Sequence, residues 1–155
     1  MKIYKIQKNK GMALLFSVLL SSIILTIALG ISNIAFGEIK FSTSAKNTNE
    51  AFFAADAGIE CALFNDKTSS NVFVATSPDP ILCQSGTVTM ISNIYPFWSF
   101  VLSGLGSQAQ GCAKITVNKG VTPMEIIANG YNVGDNGTCN YTLTNRVERR
   151  QELTK

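Results

Sequence analysis

The sequence predicts an α+β protein: one long N-terminal helix, its first half transmembrane, packed on a small antiparallel β-sheet head. Three observations predict it. From Gly11 to Gly37 there is no charged side chain. From Glu38 to Phe64 the chain is more polar, yet apolar residues keep a helical spacing and no proline interrupts. Beyond Asn65 the pattern shifts to period two, punctuated by glycine and asparagine.

The first eleven residues, MKIYKIQKNKG, carry Lys2, Lys5, Lys8 and Lys10 and no acid, and residues 1–11 form a candidate leader. Residues 12–37, as a helix, would extend about 40 Å, more than the ~30 Å hydrocarbon layer of a bilayer. Lysines ahead of such a segment place the N-terminus in the cytoplasm and the head across the membrane. Three fates compete. A secretory signal would be cut near Ala28-Leu29-Gly30, although the apolar run continues past it. Cleavage after Gly11 would keep the whole helix in the mature chain. The third is an uncleaved single-pass anchor.

Residues 38–64 continue the helix. Phe41, Ala45, Thr48, Phe52, Ala55, Ile59 and Ala62 alternate in steps of four and three, a helical seam that strands cannot produce. Phe41, Ala45, Phe52, Ala55, Ile59 and Ala62 are therefore expected to pack against the head. Phe53, Ala57, Cys61 and Phe64 form a flanking stripe. Gly58 costs about 1 kcal/mol inside a helix and marks an expected close approach.

Residues 65–155 form the expected head. A short strand at Val72–Ala75 interrupts a long excursion. Strands are then expected at Thr87–Ile91, burying Val88 and Met90; at Ala113–Asn118, burying Ile115 and Val117; and at Met124–Ala128, burying Met124, Ile126 and Ala128. A last strand is expected at Thr138–Val147, burying Cys139, Tyr141, Leu143 and Val147. Turn signals lie at Lys119-Gly120, Asn129-Gly130 and Asp135-Asn136-Gly137. The four cysteines, Cys61, Cys83, Cys112 and Cys139, contain no CxxC pair. In a small domain behind an apolar segment they favour disulfides over free thiols or a four-thiolate metal site. Of three connectivities, Cys61–Cys83 with Cys112–Cys139 closes a local loop each time and is the one expected.

Function classes narrow on composition. Net charge is +3, but the basic tip accounts for it and the head is near neutral, so no nucleic-acid footprint is expected. There is no histidine. That removes the commonest general acid–base and every imidazole-dependent triad or zinc site. Asp56, Glu60, Asp66 and Asp79 have no spaced catalytic partner, so no enzyme, no cofactor and no metal are expected. The Asp135-Asn136-Gly137-Thr138 stretch resembles half of a calcium loop but is sufficient as a turn. Tyr95, Phe97, Trp98 and Phe100 form either an adhesive patch or core; a small sheet favours core. Arg146, Glu148, Arg150 and Glu152 alternate in sign, as on a solvated edge strand. Asn136-Gly-Thr and Asn140-Tyr-Thr fit a glycosylation sequon, a weak signal.

A short basic leader ending in glycine, followed at once by an uncharged helix that runs on towards an antiparallel sheet, resembles a type IV pilin precursor. Within that group, the segment from about residue 8 to 64 resembles the N-terminal region of PilX-like minor pilins, the fimbrial biogenesis proteins. The most telling part is Ala51-Phe52-Phe53-Ala54-Ala55-Asp56-Ala57-Gly58-Ile59-Glu60, similar to the family's A-F-x-A-A-E/D-x-G stretch. The resemblance implies a structural, non-enzymatic subunit. Prepilin peptidase would cut between Gly11 and Met12, and Met12 would be N-methylated. Partners would be other pilin subunits, the inner-membrane pilus assembly machinery, and lipid before assembly. Most pilins carry glutamate at the fifth mature position, here Phe16. No acid precedes Glu38, which implies a minor, initiating or tip role, or else a looser processing pattern. The alternative from another class is an uncleaved, membrane-anchored extracytoplasmic binding protein.

Overall fold

The computed structural model describes residues 10–67, 72–74, 80–83, 86–135, 137–140 and 145–155. One helix, α1 (Lys10–Lys67), is followed by five strands: β1 (Thr87–Ile94), β2 (Phe97–Leu105), β3 (Gly111–Asn118), β4 (Glu125–Tyr131) and β5 (Glu148–Thr154). The strands form one antiparallel sheet in the order β1-β2-β3-β4-β5, a plain meander. The chain divides into two units, Met1–Thr43 and Ser44–Lys155.

The first unit contains the apolar part of α1. That helix is long and apolar enough to cross a membrane. Its large side chains from Met12 to Ile39 are exposed. The hydroxyls of Ser17, Ser22 and Thr26 each donate to the carbonyl three residues back (Leu14, Leu19 and Ile23), at 2.8 Å. Back-bonding of this kind lets a hydroxyl sit in an apolar helix without an unpaired donor.

In the second unit α1 lies on one face of the sheet. Its contact surface is small: Ala51, Ala54, Ala55, Gly58, Ile59 and Ala62 are buried. Of these, Ala54, Ala55, Ile59 and Ala62 join Trp98, Phe100 and Leu102 of β2, Ala113, Ile115 and Val117 of β3, and Ile126 and Ala128 of β4 in one cluster. Small residues let the backbones approach. A Cβ on Gly58 would come within 2.8 Å of Ile115 Cγ1, and one on Gly130 would collide with the Ala51 carbonyl and the Ala55 amide. The expected close approach at Gly58 is present. The expected seam needs correction at its N-terminal end: Ala55, Ile59 and Ala62 are buried, but Phe52 is 47% exposed, Phe41 is 78% exposed and Ala45 is exposed. The buried arc lies one position round the helix, on Ala51, Ala54 and Gly58, because alanine and glycine permit contacts that phenylalanine would hold apart.

Both expected disulfides form, Cys61–Cys83 with Cα atoms 5.3 Å apart and Cys112–Cys139 at 5.9 Å. The first ties the end of α1 to the segment before β1. Asn65 reinforces it: its Nδ2 donates to the Cys61 and Leu82 carbonyls, and its Oδ1 accepts from the Leu82 amide. The second closes residues 137–140 over the other sheet face, where Val101, Cys112, Tyr131 and Cys139 form a second buried cluster.

Several expected elements differ. Val72–Val74 is a bend, not a strand, and Ala75 lies outside the described residues. Val72 and Phe73 are nevertheless buried, with the Phe73 ring edge-on to Trp98 at 5.7 Å. The segment Phe97–Leu105, which holds three of the four aromatics expected as patch or core and is not among the expected strands, is β2, an interior strand of the sheet. Asn129 and Gly130 lie inside β4, not in a turn. The last strand is β5, Glu148–Thr154; Thr138 to Asn140 and Asn145 to Val147 are not strand, and Tyr141 and Leu143 lie outside the described residues. Met90 is exposed and Val88 half-buried, because β1 is at the edge.

Candidate functional site

Among the described residues no group of three or more His, Cys, Asp or Glu side chains gathers that could hold a metal ion, and the candidate sites are surfaces and the groups that hold them. The first is the N-terminal part of α1. Gly11 and Met12 lie at the N-terminal end of the described part of α1. Met12 and Phe16 are both exposed, at 74% and 65%. Among the described residues, the first turn of α1 carries no acid.

The second is the end of the head where α1 stops. Asp66 takes Lys119 Nζ at 2.7 Å on one oxygen and Lys155 Nζ at 2.9 Å on the other. Lys155 also exchanges both backbone hydrogen bonds with Met124 at 2.9 Å, locking the C-terminal strand beside β4. Burial alone would raise the Asp66 pKa, but the hydrogen bonds and attraction of Lys119 and Lys155 outweigh it, and the pKa lies below the ordinary carboxylate value. A lowered folded-state pKa gives stability that is complete above the unfolded value of about 4 and is lost as pH falls through the folded pKa. Thermal unfolding of the intact chain should therefore show a drop in Tm below about pH 4, and Asp66→Asn should flatten that acid limb. An unchanged acid limb in Asp66→Asn would remove Asp66 as its source.

The third is the loop over the outer sheet face. Asp135 accepts from the Thr138 hydroxyl at 2.6 and 2.9 Å, and from the Thr138 and Asn140 amides at 3.2 and 2.9 Å. The Thr138 hydroxyl bond is the chief reason its pKa lies below the ordinary value. Asp135 thus fixes the turn that delivers Cys139 to Cys112. Beside it the Arg146 guanidinium stacks on the Tyr131 ring at 3.8 Å, and its Nη2 donates to the Cys139 carbonyl at 2.8 Å. Burial is the first cause of a raised Tyr131 pKa. Arg146 therefore braces the disulfide loop and is not part of the alternating edge strand expected from sequence. Glu148, Arg150 and Glu152 do lie on β5, with Arg150 and Glu152 paired at 3.2 Å.

The aromatic run divides. Trp98 and Phe100 face α1 and are fully buried, while Tyr95 and Phe97 are more than half exposed. Core packing holds for the first pair only. Strand geometry separates them: Trp98, Phe100 and Leu102 share one face of β2, Phe97 and Ser99 the other.

Comparison with protein-family models, curated proteins and solved structures finds no match for this chain. What the fold and its surfaces define is therefore a class by architecture: an α+β protein whose long helix is apolar enough to span a membrane and whose head is a disulfide-bonded five-stranded meander.

Proposed function

We propose that this chain is a structural subunit of a type IV pilus-like filament, a minor pilin or pseudopilin made as an inner-membrane prepilin. The observation that carries it is the continuity of α1: one helix runs from the charge-free segment after Gly11 to the small-residue face that binds the sheet. A continuous apolar helix is satisfied equally by lipid and by the apolar helices of neighbouring subunits. The same segment can therefore anchor the precursor and pack a filament. Prepilin peptidase acts between Gly11 and Met12, Met12 is methylated, and the head is displayed outside the cell. The partners are other pilin subunits and the assembly machinery of the inner membrane.

Phe16 makes the chain a minor component. A buried positive N-terminus without a carboxylate partner costs several kcal/mol in desolvation, and this helix offers no acid before Glu38. A subunit at an initiating or tip position avoids repeating that cost along the filament. The test is to shear filaments from cells and quantify this chain. It is expected in the sheared fraction at a small proportion of the main subunit; full retention in the membrane fraction, with filaments present, would contradict the proposal. Phe16→Glu is expected to raise incorporation several-fold. Unchanged incorporation would show that the missing carboxylate does not set the copy number.

A further inference from the structure

The two edges of the sheet are built differently. β5 closes one edge with Glu148, Arg149, Arg150 and Glu152, all exposed. Charged side chains of this kind prevent another strand from pairing. β1, at the opposite edge, is TVTMISNI and has no charge. Nor does anything near it in sequence, since no Asp, Glu, Lys or Arg occurs from Pro80 to Ala113. Among the described residues β1 pairs only with β2. Beyond α1, the exposed large apolar residues concentrate here too. Leu82, Met90, Ile91, Ile94, Tyr95 and Phe97 all fall within the charge-free stretch, with Ile94 72% and Ile91 59% exposed; among the described residues beyond α1, only Val74 and Val121 lie outside it. The loop at Gly137 comes near Thr89, but among the described residues no strand pairs with the outer edge of β1. An apolar patch coincident with a charge-free strand edge is a feature that soluble domains avoid unless it is used.

We infer that β1 is a docking edge for an extended, charge-free segment of another polypeptide, which adds to the sheet as a sixth strand. The free edge supplies backbone donors and acceptors that only another backbone can match in register. A lipid surface would cover the apolar side chains but leave those backbone groups unpaired in an apolar medium. A second copy of the chain offers two edges, neither suitable. Its β5 is charged, and its β1 carries the same irregularity between Met90 and Ser92, so two bulges would meet in a two-fold pairing. An incoming charged strand would lose solvation against Ile91 and Ile94 with no opposite charge to compensate. Charge neutrality is thus the selective property. The inference concerns the head alone and does not depend on cleavage at Gly11.

The test uses the full chain in the cell that makes it. A photo-cross-linking amino acid replaces Thr89, Ile91 or Asn93, one at a time, with Arg150 on β5 as the control. Cross-links from the three β1 positions are expected to fall in one short segment of one partner, free of Asp, Glu, Lys and Arg, and to move along it about two residues per step. Ile91→Lys should lower the yield from Thr89 about tenfold, with both disulfides and the thermal transition unchanged. Yields no higher than from Arg150, cross-links to lipid, to a second copy or to scattered segments, or an unaltered yield in Ile91→Lys would each overturn it.

Discussion

Replacing Gly130 by leucine is expected to destabilise the head by at least about 3 kcal/mol, the upper range for overpacking, because the added Cβ meets backbone and not a yielding side chain. Gly130 sits in β4 opposite Ala51 and Ala55 of α1, and its missing side chain is what allows the helix to lie so close. The helix would have to lift from β4, opening the contacts of Ala54 and Ala55 with Ile126 and Ala128. In thermal unfolding of the detergent-solubilised chain, Tm should fall by roughly 10–20 °C. Gly37→Ala, where an added Cβ meets nothing, is the control and should leave Tm unchanged or slightly raised. If Gly130→Leu melts with the wild type, α1 is not seated on β4 as described.

The second large effect is reduction of the disulfides. They close loops with sequence separations of 22 and 27 residues. On a chain-entropy estimate each contributes about 3 kcal/mol, so together they match much of the stability of a small domain. The consequences differ locally. Without Cys61–Cys83 the Asn65 hydrogen bonds still hold Leu82, so that connection is doubly secured. Without Cys112–Cys139 the cover over Val101 and Tyr131 depends on Arg146 and the Asp135 turn. Cys112→Ser with Cys139→Ser is therefore expected to lower Tm more than Cys61→Ser with Cys83→Ser, and full reduction should unfold the head at 37 °C. A fully reduced chain that melts near the oxidised one would remove the disulfides as a principal source of stability.

The architecture was legible in sequence where a periodicity was clean. α1 followed from steps of three and four and the absence of proline, and the alternation in Ala113–Asn118 located β3 with its buried Ile115 and Val117. β2 was hidden because FWSFVLSGL does not alternate. Val101 is buried on the outer face in the cluster with Cys112, Tyr131 and Cys139, and Ser103 is buried too, so both faces of the second half of the strand are covered. β5 was hidden for the opposite reason. ERRQELT has one strongly apolar residue and is held largely by its backbone ladder to β4 and by Lys155. Asn129-Gly130 mimics a turn, but the glycine serves helix approach. Phe41 and Phe52 satisfied the spacing of a seam without being on the buried arc, since spacing gives a stripe but not which of two adjacent stripes faces the sheet. The edge asymmetry could be found from charge alone, once β1 and β5 were known to be the edges.

The central claim, that the helix from Met12 is a processed filament and membrane segment, is tested most directly by the intact mass of the chain recovered from cells. A chain that begins at Met12 and carries one added methyl group is the expected result. A chain in the membrane that still begins at Met1, or a secreted one that begins near Ile31, would contradict it.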